Sequence, residues 1–403
     1  MKILLSAYAC EPNKGSEPEV GWKWAINLVK AGHEVYVVTR LNNKKTINKY
    51  LKNKNILNLN FIYFDYPKWF VTIIKGKKKS YSYLYFILWQ LGICFKVKEY
   101  VKKINFNYIH HVTFVSCRIP SFLCLYNIPF IFGPISGGDT VPLKLRKNFS
   151  LISKTKEYLR DLSNLYLKIS PLMNLVFSRA KFIYVNSNAT KKIIPKIYHH
   201  KVKKLLAIAV DYKKDISKKR KKKKNNIFSI IFAGNILEIK GIFILIKVFS
   251  KLIKNNYKVK LNIIGNGNFK KKTIEITKNY GIYNKIKFTN KINQKKLFND
   301  FIQSDLLLMP ALRDSGGFVV LEALSNGLPV ATLNLGGPGE IINNKCGIKI
   351  NVINKDENFV TERLYKSIAK LISNKKQYQK IKNYTKKRTR KFLWQQKINK
   401  IYK

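Results

Sequence analysis

Acidic residues are scarce. The 403 residues hold 21 Asp and Glu against 78 Lys and Arg, a formal net charge of +57. So lopsided a balance argues against basic partners and for polyanions or an anionic membrane surface. The excess is mostly lysine, and Ile, Asn, Tyr and Phe are abundant beside it. These residues share A/T-rich codons, so coding composition accounts for much of the charge. No nucleic-acid module accompanies it. Cysteine is also scarce. Cys10, Cys94, Cys117, Cys124 and Cys346 are odd in number and scattered, with no Cys-x-x-Cys and no Cys/His metal spacing. That excludes a disulfide framework and points to a reducing, cytoplasmic setting. Long apolar runs are missing. The longest, Tyr81–Phe95, is interrupted by Gln90 and falls short of the roughly 18 residues of a spanning helix. The opening run Met1–Tyr8 is too short for a signal peptide and enters a Gly/Pro/Glu loop. What is present is ordinary globular usage, 46% hydrophobic and 25% charged, in a chain long enough for two or three domains.

The chain alternates strands and helices. Lys2–Ala7 reads as a short buried strand, followed by a loop and a helix over Ser16–Ala31. Ser16 and Glu19 have capping-box spacing, Pro18 suits a first turn and Gly32 stops the helix. Val35–Thr39 is the next strand, so the first forty residues make a βαβ unit and predict a parallel sheet. Further strands are expected at Leu59–Phe64, Tyr108–Val112, Phe130–Phe132 and Phe182–Val185. Helices are expected over about Ser82–Lys103, Leu151–Arg179 and Ala189–Lys196. The unbroken Lys/Arg run Lys218–Lys224 reads as a solvated break. Alternation then restarts with strands Phe228–Ala233, Lys260–Ile264, Ile286–Thr289, Leu306–Met309 and Pro329–Leu333. The helices Ile242–Ile253, Phe269–Tyr280, Lys295–Gln303, Gly317–Ser325 and Asp356–Ser373 belong with them. The fold class is therefore α/β, with two Rossmann-like doubly wound domains, 1–205 and 206–384, facing a cleft. Ligands of such folds sit at the carboxyl ends of strands.

The most informative block follows Leu306–Met309 and runs from Asp314-Ser315-Gly316-Gly317-Phe318 through Glu322 to Gly327 and Pro329. Two glycines let backbone approach a ligand, and the helix that starts there offers free N–H groups to an anion. Asp314 and Glu322 stand on either side of that turn, placed to flank a phosphorylated sugar. The plainer reading is an ordinary strand-to-helix turn with Asp314 as its local cap.

This block resembles the signature of retaining glycosyltransferases of family 4, the glycosyl transferases group 1 set, which have the GT-B fold. That signature has two Glu eight positions apart with a Gly-Phe-Gly turn. Here Asp314 stands at the first, Glu322 at the second, and the turn reads Ser315-Gly316-Gly317-Phe318. The resemblance implies that Asp314 faces the transferred sugar, Glu322 the nucleotide ribose, and Gly316 and Gly317 the diphosphate. Phe232 to Gly241 resembles the element whose Arg and Lys bind that diphosphate. Lys240 matches the Lys, and Asn235, beside Gly234, stands where the Arg would be. Leu261–Gly267, with Gly265, resembles the next strand and turn, and Leu335–Glu340 the turn beyond the signature helix. In the first half, Ala7–Trp22 resembles the first loop of the fold, which places Gly15 and Ser16 near donor and acceptor. Ile109-His110-His111-Val112-Thr113 resembles the site of a histidine near the reacting sugar. From a strand only one of His110 and His111 points that way. Gly133–Asp139 is a further Gly-rich loop at a strand end. The closing basic helix, about 385–403, is implied to pack back on the first domain.

The resemblance implies a retaining, hexosyl-type transfer from a nucleotide-diphosphate sugar to a hydroxyl of a glycan or lipid-linked acceptor. Surface polysaccharide or lipopolysaccharide synthesis in the cell envelope is the implied setting. It implies no cofactor and no catalytic metal, the leaving diphosphate being stabilised by Lys240 and the Gly316–Phe318 amides. Two other readings remain open: a catalytically impaired relative that binds or scaffolds, favoured by Asn235, and a GT-B nucleotide-sugar epimerase. The region Tyr66–Lys103, with Trp69, Phe70, Trp89 and Lys77-Lys78-Lys79, reads as a peripheral membrane patch or as a core helix entered by a basic loop.

Overall fold

The computed structural model describes all residues except Asn53, Asn55, 76–82, 212–225 and Lys403. The basic runs Lys77–Lys79 and Lys218–Lys224 lie outside the described residues. Two compact units are present. The first comprises Met1–Gly138, Leu162–Ala207 and Lys397–Lys403, and the second Asp139–Asp161 and Ile208–Gln396. Two segments thus group differently from a simple division near residue 205. Asp139–Asp161 joins the second unit, and of the closing stretch 385–403 only Lys397–Lys403 joins the first.

In chain order the elements up to Lys204 are β1 (Lys2–Ser6), α1 (Ser16–Lys30), β2 (Glu34–Arg40), α2 (Lys44–Leu51), β3 (Leu59–Phe64), α3 (Lys68–Lys75), α4 (Tyr83–Lys96), α5 (Lys98–Lys103), β4 (Tyr108–His111), β5 (Phe130–Ile135), α6 (Leu151–Tyr166), α7 (Pro171–Arg179), β6 (Ala180–Val185), α8 (Asn188–Ile193) and β7 (Val202–Lys204). The seven strands form one parallel sheet in the order β3-β2-β1-β4-β5-β6-β7. The strand order reverses at β1/β4, the switch point where such sheets bind ligands. Near-continuous apolar strands such as Phe130–Ile135 are buried throughout, as parallel strands covered on both faces must be. The helix α4 is core along one side, with Tyr85, Phe86, Trp89 and Ile93 buried, while Trp69 on α3 is 66% exposed.

The later elements are β8 (Phe228–Ala233), α9 (Ile242–Lys254), β9 (Val259–Ile264), α10 (Lys270–Asn279), β10 (Ile286–Thr289), α11 (Gln294–Gln303), β11 (Leu306–Met309), α12 (Phe318–Ser325), β12 (Val330–Leu333), α13 (Gly336–Ile341), β13 (Gly347–Ile350), α14 (Glu357–Ser373), α15 (Lys375–Thr389) and α16 (Trp394–Ile401). Their six strands are parallel in the order β10-β9-β8-β11-β12-β13, with a switch point at β8/β11. Helix α9 buries Ile242, Leu245, Ile246, Phe249 and Leu252 at the spacing of one helical face. The helix expected over Leu151–Arg179 is broken after Tyr166, and Pro171 opens α7, the first-turn position its missing N–H suits. At α1 the cap is Gly15, whose N–H donates to Glu19 Oε2 at 2.9 Å, so Ser16 is the first helical residue and not the cap. Among the described residues no helix is long and apolar enough to cross a membrane.

Candidate active site

In the second unit, the loops after β8 and β11 leave the switch point together. Leu312 and Arg313 donate their N–H groups to Ile239 O at 3.0 and 3.1 Å, which ties the two loops. Lys240 ends a short 3-10 turn whose Glu238 is buried and accepts from Ser150 N and Oγ at 3.1 and 3.0 Å. Lys240 Nζ reaches Asp314 Oδ2 at 2.8 Å, with both side chains less than a fifth exposed. The other carboxylate oxygen, Oδ1, accepts from Gly316 N at 3.2 Å and Gly317 N at 3.1 Å. Asp314 is thus at once the local cap of its turn and the partner of the site's lysine. Two of the three amides expected to meet a diphosphate, those of Gly316 and Gly317, are donated to Asp314, while Phe318 opens α12. Gly317 caps that helix at φ +65, in the left-handed region that glycine tolerates. The first turn of α12 offers its N–H groups on the same side, the helix end that favours an anion.

Glu322 stands one turn into α12 and accepts from Gln294 Nε2 at 2.8 Å. Gln294, at the start of α11, is a neighbour the sequence reading passed over, and a lone glutamine carries no motif signal. Gly234 and Gly265 follow β8 and β9, and Gly234 N donates to Ile264 O at 2.9 Å. Asn235 is exposed beside them, and Ser315 is half-buried in the turn. A further carboxylate lies at this turn. Asp139 is 4% exposed, and neither of its oxygens has a hydrogen-bond partner. A Cβ on Gly336 would fall 3.5 Å from Asp139 Oδ1 and 2.2 Å from Asp314 O, so Asp139 flanks the backbone that carries Asp314. The Gly-Gly-Asp ending of its loop was the signal available in sequence. Among the described residues no group of three or more His, Cys, Asp or Glu converges as a metal site.

In the first unit, the loops after β1 and β4 meet. Thr113 Oγ1 accepts from Ala9 N at 3.1 Å, and Glu17 Oε1 accepts from Phe114 N at 2.8 Å. Gly15 and Ser16 begin α1 here. The two histidines differ sharply in their surroundings. His110 Nε2 lies 2.6 Å from Gly133 O, a group that only accepts, so Nε2 carries the proton and Nδ1 accepts from the Tyr402 hydroxyl. Its ring also meets the edge of Trp24. Both nitrogens are spent on structure. His111 donates from Nε2 to Thr113 O at 3.0 Å, which leaves Nδ1 as a buried acceptor without a partner. Of the pair, His111 is the one with a lone pair to offer.

Burial pushes both imidazoles down, His110 to about 3 and His111 to about 4. Unfolded, they titrate near 6.5. Below that pH the unfolded chain binds protons that the folded chain refuses, so their contribution is whole above 6.5 and is lost as pH falls. The unfolding temperature is therefore expected to drop between about pH 7 and about pH 5, with a shallower drop in His110→Gln. Equal slopes in the two proteins would assign the acid sensitivity elsewhere.

Residues 212–388 match the family model described as glycosyl transferases group 1. This match takes in somewhat less than half of the chain. Within the matched segment lie Lys240, Asp314, Gly317 and Glu322, whereas His110, His111, Gly15, Ser16 and Asp139 precede it. Protein CapJ of Staphylococcus aureus is 30% identical over 120 residues, 30% of each chain. N-acetyl-alpha-D-glucosaminyl L-malate synthase of Bacillus anthracis is 22% identical over 345 residues, 85% of this chain and 81% of that one. The chain spans 30% of the length of CapJ, and 33% of that of an uncharacterized glycosyltransferase of Methanocaldococcus jannaschii, which is 30% identical over 128 residues, 32% of this chain. The crystal structure of Anabaena Alr3699/HepE in complex with UDP and glucose superposes with a TM-score of 0.63 at 15% identity, covering 100% of this chain and 98% of that one. The two parallel-sheet units have the fold of that structure, the GT-B fold.

Proposed function

We propose that this protein is a retaining glycosyltransferase that moves a hexosyl group from a nucleotide-diphosphate sugar to a hydroxyl of a glycan or lipid-linked acceptor, in the synthesis of a surface polysaccharide. The observation that carries the reading is the Lys240–Asp314 pair at the β8/β11 switch point, beside the first turn of α12. A cation and a helix N-terminus at one loop cluster suit a diphosphate leaving group. We assign Glu322, one turn into α12, to the ribose hydroxyls, and Asp139, whose carboxylate has no hydrogen-bond partner, to hydroxyls of the sugar. The bond from the anomeric carbon to the phosphate oxygen breaks, and a bond from the acceptor oxygen to that carbon forms on the same face. The acceptor's proton passes to the departing phosphate. In the first unit, His111 Nδ1 is a buried histidine acceptor whose lone pair has no partner. Uridine diphosphate is the first nucleotide to try, because a solved neighbour is described with UDP and glucose.

The test is thermal unfolding with uridine, guanosine and thymidine diphosphates and their sugars, with and without Mg²⁺. A ligand well above its Kd stabilises by a few kcal/mol. One nucleotide is expected to raise the unfolding temperature without Mg²⁺, and Glu322→Ala to abolish most of that rise. No shift with any nucleotide would overturn the transferase reading and favour a binding or scaffolding role. Exposed Asn235, at the position where the family has Arg, is the observation behind that second reading.

A further inference from the structure

Helix α6 turns its polar side to the protein and its apolar side to solvent. Glu157, 1% exposed, accepts from Val141 N at 3.0 Å and pairs with Arg313 at 3.0 Å. Asp161 takes Arg146 in a two-pronged pair at 2.6 and 3.2 Å, and Arg160 Nε donates to Asp139 O at 2.8 Å. Asn164 takes Arg118. On the other side Leu151, Ile152, Tyr158, Leu159, Leu162, Leu165 and Tyr166 are each between 58% and 81% exposed. At roughly 100° per residue these seven span an arc of about 140°. A surface helix of a water-soluble fold has the opposite orientation. Scattered exposed leucines are ordinary, but a contiguous strip of this kind marks an interaction surface.

The charges around the strip say what it meets. Both carboxylates of α6 are paired with arginines, Glu157 buried and Asp161 37% exposed. Lys154 and Lys156 fall just beyond the two edges of the arc, where long stems can lie along apolar surface with the ammonium at its rim. Lys144 and Lys147 precede the helix, and Lys168 follows it. An outward apolar arc that itself carries no acid, flanked by lysines and by an Asp161 neutralised by Arg146, is the composition of a helix lying in a membrane interface. A second copy is the poorer occupant, since each chain carries +57 and its lysine rims would oppose one another.

We infer that α6 docks this protein on an anionic lipid surface, with its leucines and tyrosines at the level of the headgroups and acyl chains. The inference does not depend on the transferase reading. It also places the contact elsewhere than the Tyr66–Lys103 region that the sequence brought to notice. The test is flotation of the full chain with phosphatidylcholine vesicles, with and without phosphatidylglycerol, at low and high salt. The protein is expected to float with the anionic vesicles, less so at high salt. Leu159→Glu/Leu162→Glu is expected to reduce the bound fraction on the order of tenfold, and Trp69→Glu on α3 to leave it unchanged. Both sites are exposed, and circular dichroism of each variant verifies folding. Failure of the wild type to float would overturn the inference, as would a double variant that floats like it. A dimer in sedimentation that the double variant abolishes, without vesicle binding, would give the strip to a second copy and also overturn it.

Discussion

Lys240→Ala is expected to lower kcat/KM for sugar transfer on the order of 10²- to 10³-fold, the usual effect of removing one preorganised group that meets developing negative charge. Lys240 Nζ is held 2.8 Å from Asp314 and ends a turn anchored by buried Glu238. It therefore meets a diphosphate without first being ordered. Asn235 brings no charge to the neighbouring position, so of these two residues Lys240 alone is cationic. The substitution also leaves Asp314 unpaired beside the same anion, which raises the cost of binding as well as of bond breaking. The expected pattern is a weaker nucleoside diphosphate Kd together with a lower kcat, both partly restored in Lys240→Arg. Single-turnover rates and nucleotide titrations measure the two terms separately. A loss smaller than about tenfold would remove Lys240 from the leaving-group site.

Gly241→Ala is expected to destabilise the second unit by ~3 kcal/mol or more. Gly241 caps α9 at φ +70, and an added Cβ would lie 1.9 Å from Pro310 O and 2.7 Å from Pro310 C. The atoms it meets are backbone and cannot rotate aside. The left-handed conformation alone costs about 1 kcal/mol for a residue with a side chain. For a unit of this size, such a loss lowers the unfolding temperature by roughly 6–12 °C. Gly241 also fixes the chain between Lys240 and α9, so nucleotide binding is expected to weaken in the variant that remains folded. Calorimetry of the whole chain reads the first effect and titration the second. An unfolding temperature equal to wild type would show that the Pro310 backbone yields to the methyl group.

Much of the fold was legible in the residues. Strands β3, β8, β10 and β11 fall on the expected bounds, Leu59–Phe64, Phe228–Ala233, Ile286–Thr289 and Leu306–Met309. Buried parallel strands are short apolar runs between turn residues, and those runs are local. The misses have local causes too. β7 (Val202–Lys204) is short and polar, and β13 is brief, so neither carries a periodic signal. The break before Pro171 hid inside a helical composition that continues on both sides. Expecting the capping box at Ser16 chose the better cap by propensity, but Glu19 reaches back to Gly15.

By itself the sequence determined the α/β class, the use of one architecture twice, and the loops that carry Lys240, Asp314 and Glu322. Each follows from apolar runs and turn residues within a few tens of positions. The tertiary structure decided what depends on distant partners. Tyr402 and Gly133 occupy both nitrogens of His110, while His111 keeps one free. Adjacent strand residues are identical to any pattern reading until the packing on each side is known. Asp139 joins the turn of Asp314 from far along the chain. Periodicity marks α6 as two-sided, but not which side meets the protein. Arg146 and Arg313 decide that, because ion pairs to Asp161 and Glu157 draw the polar side inward and leave the leucines outside.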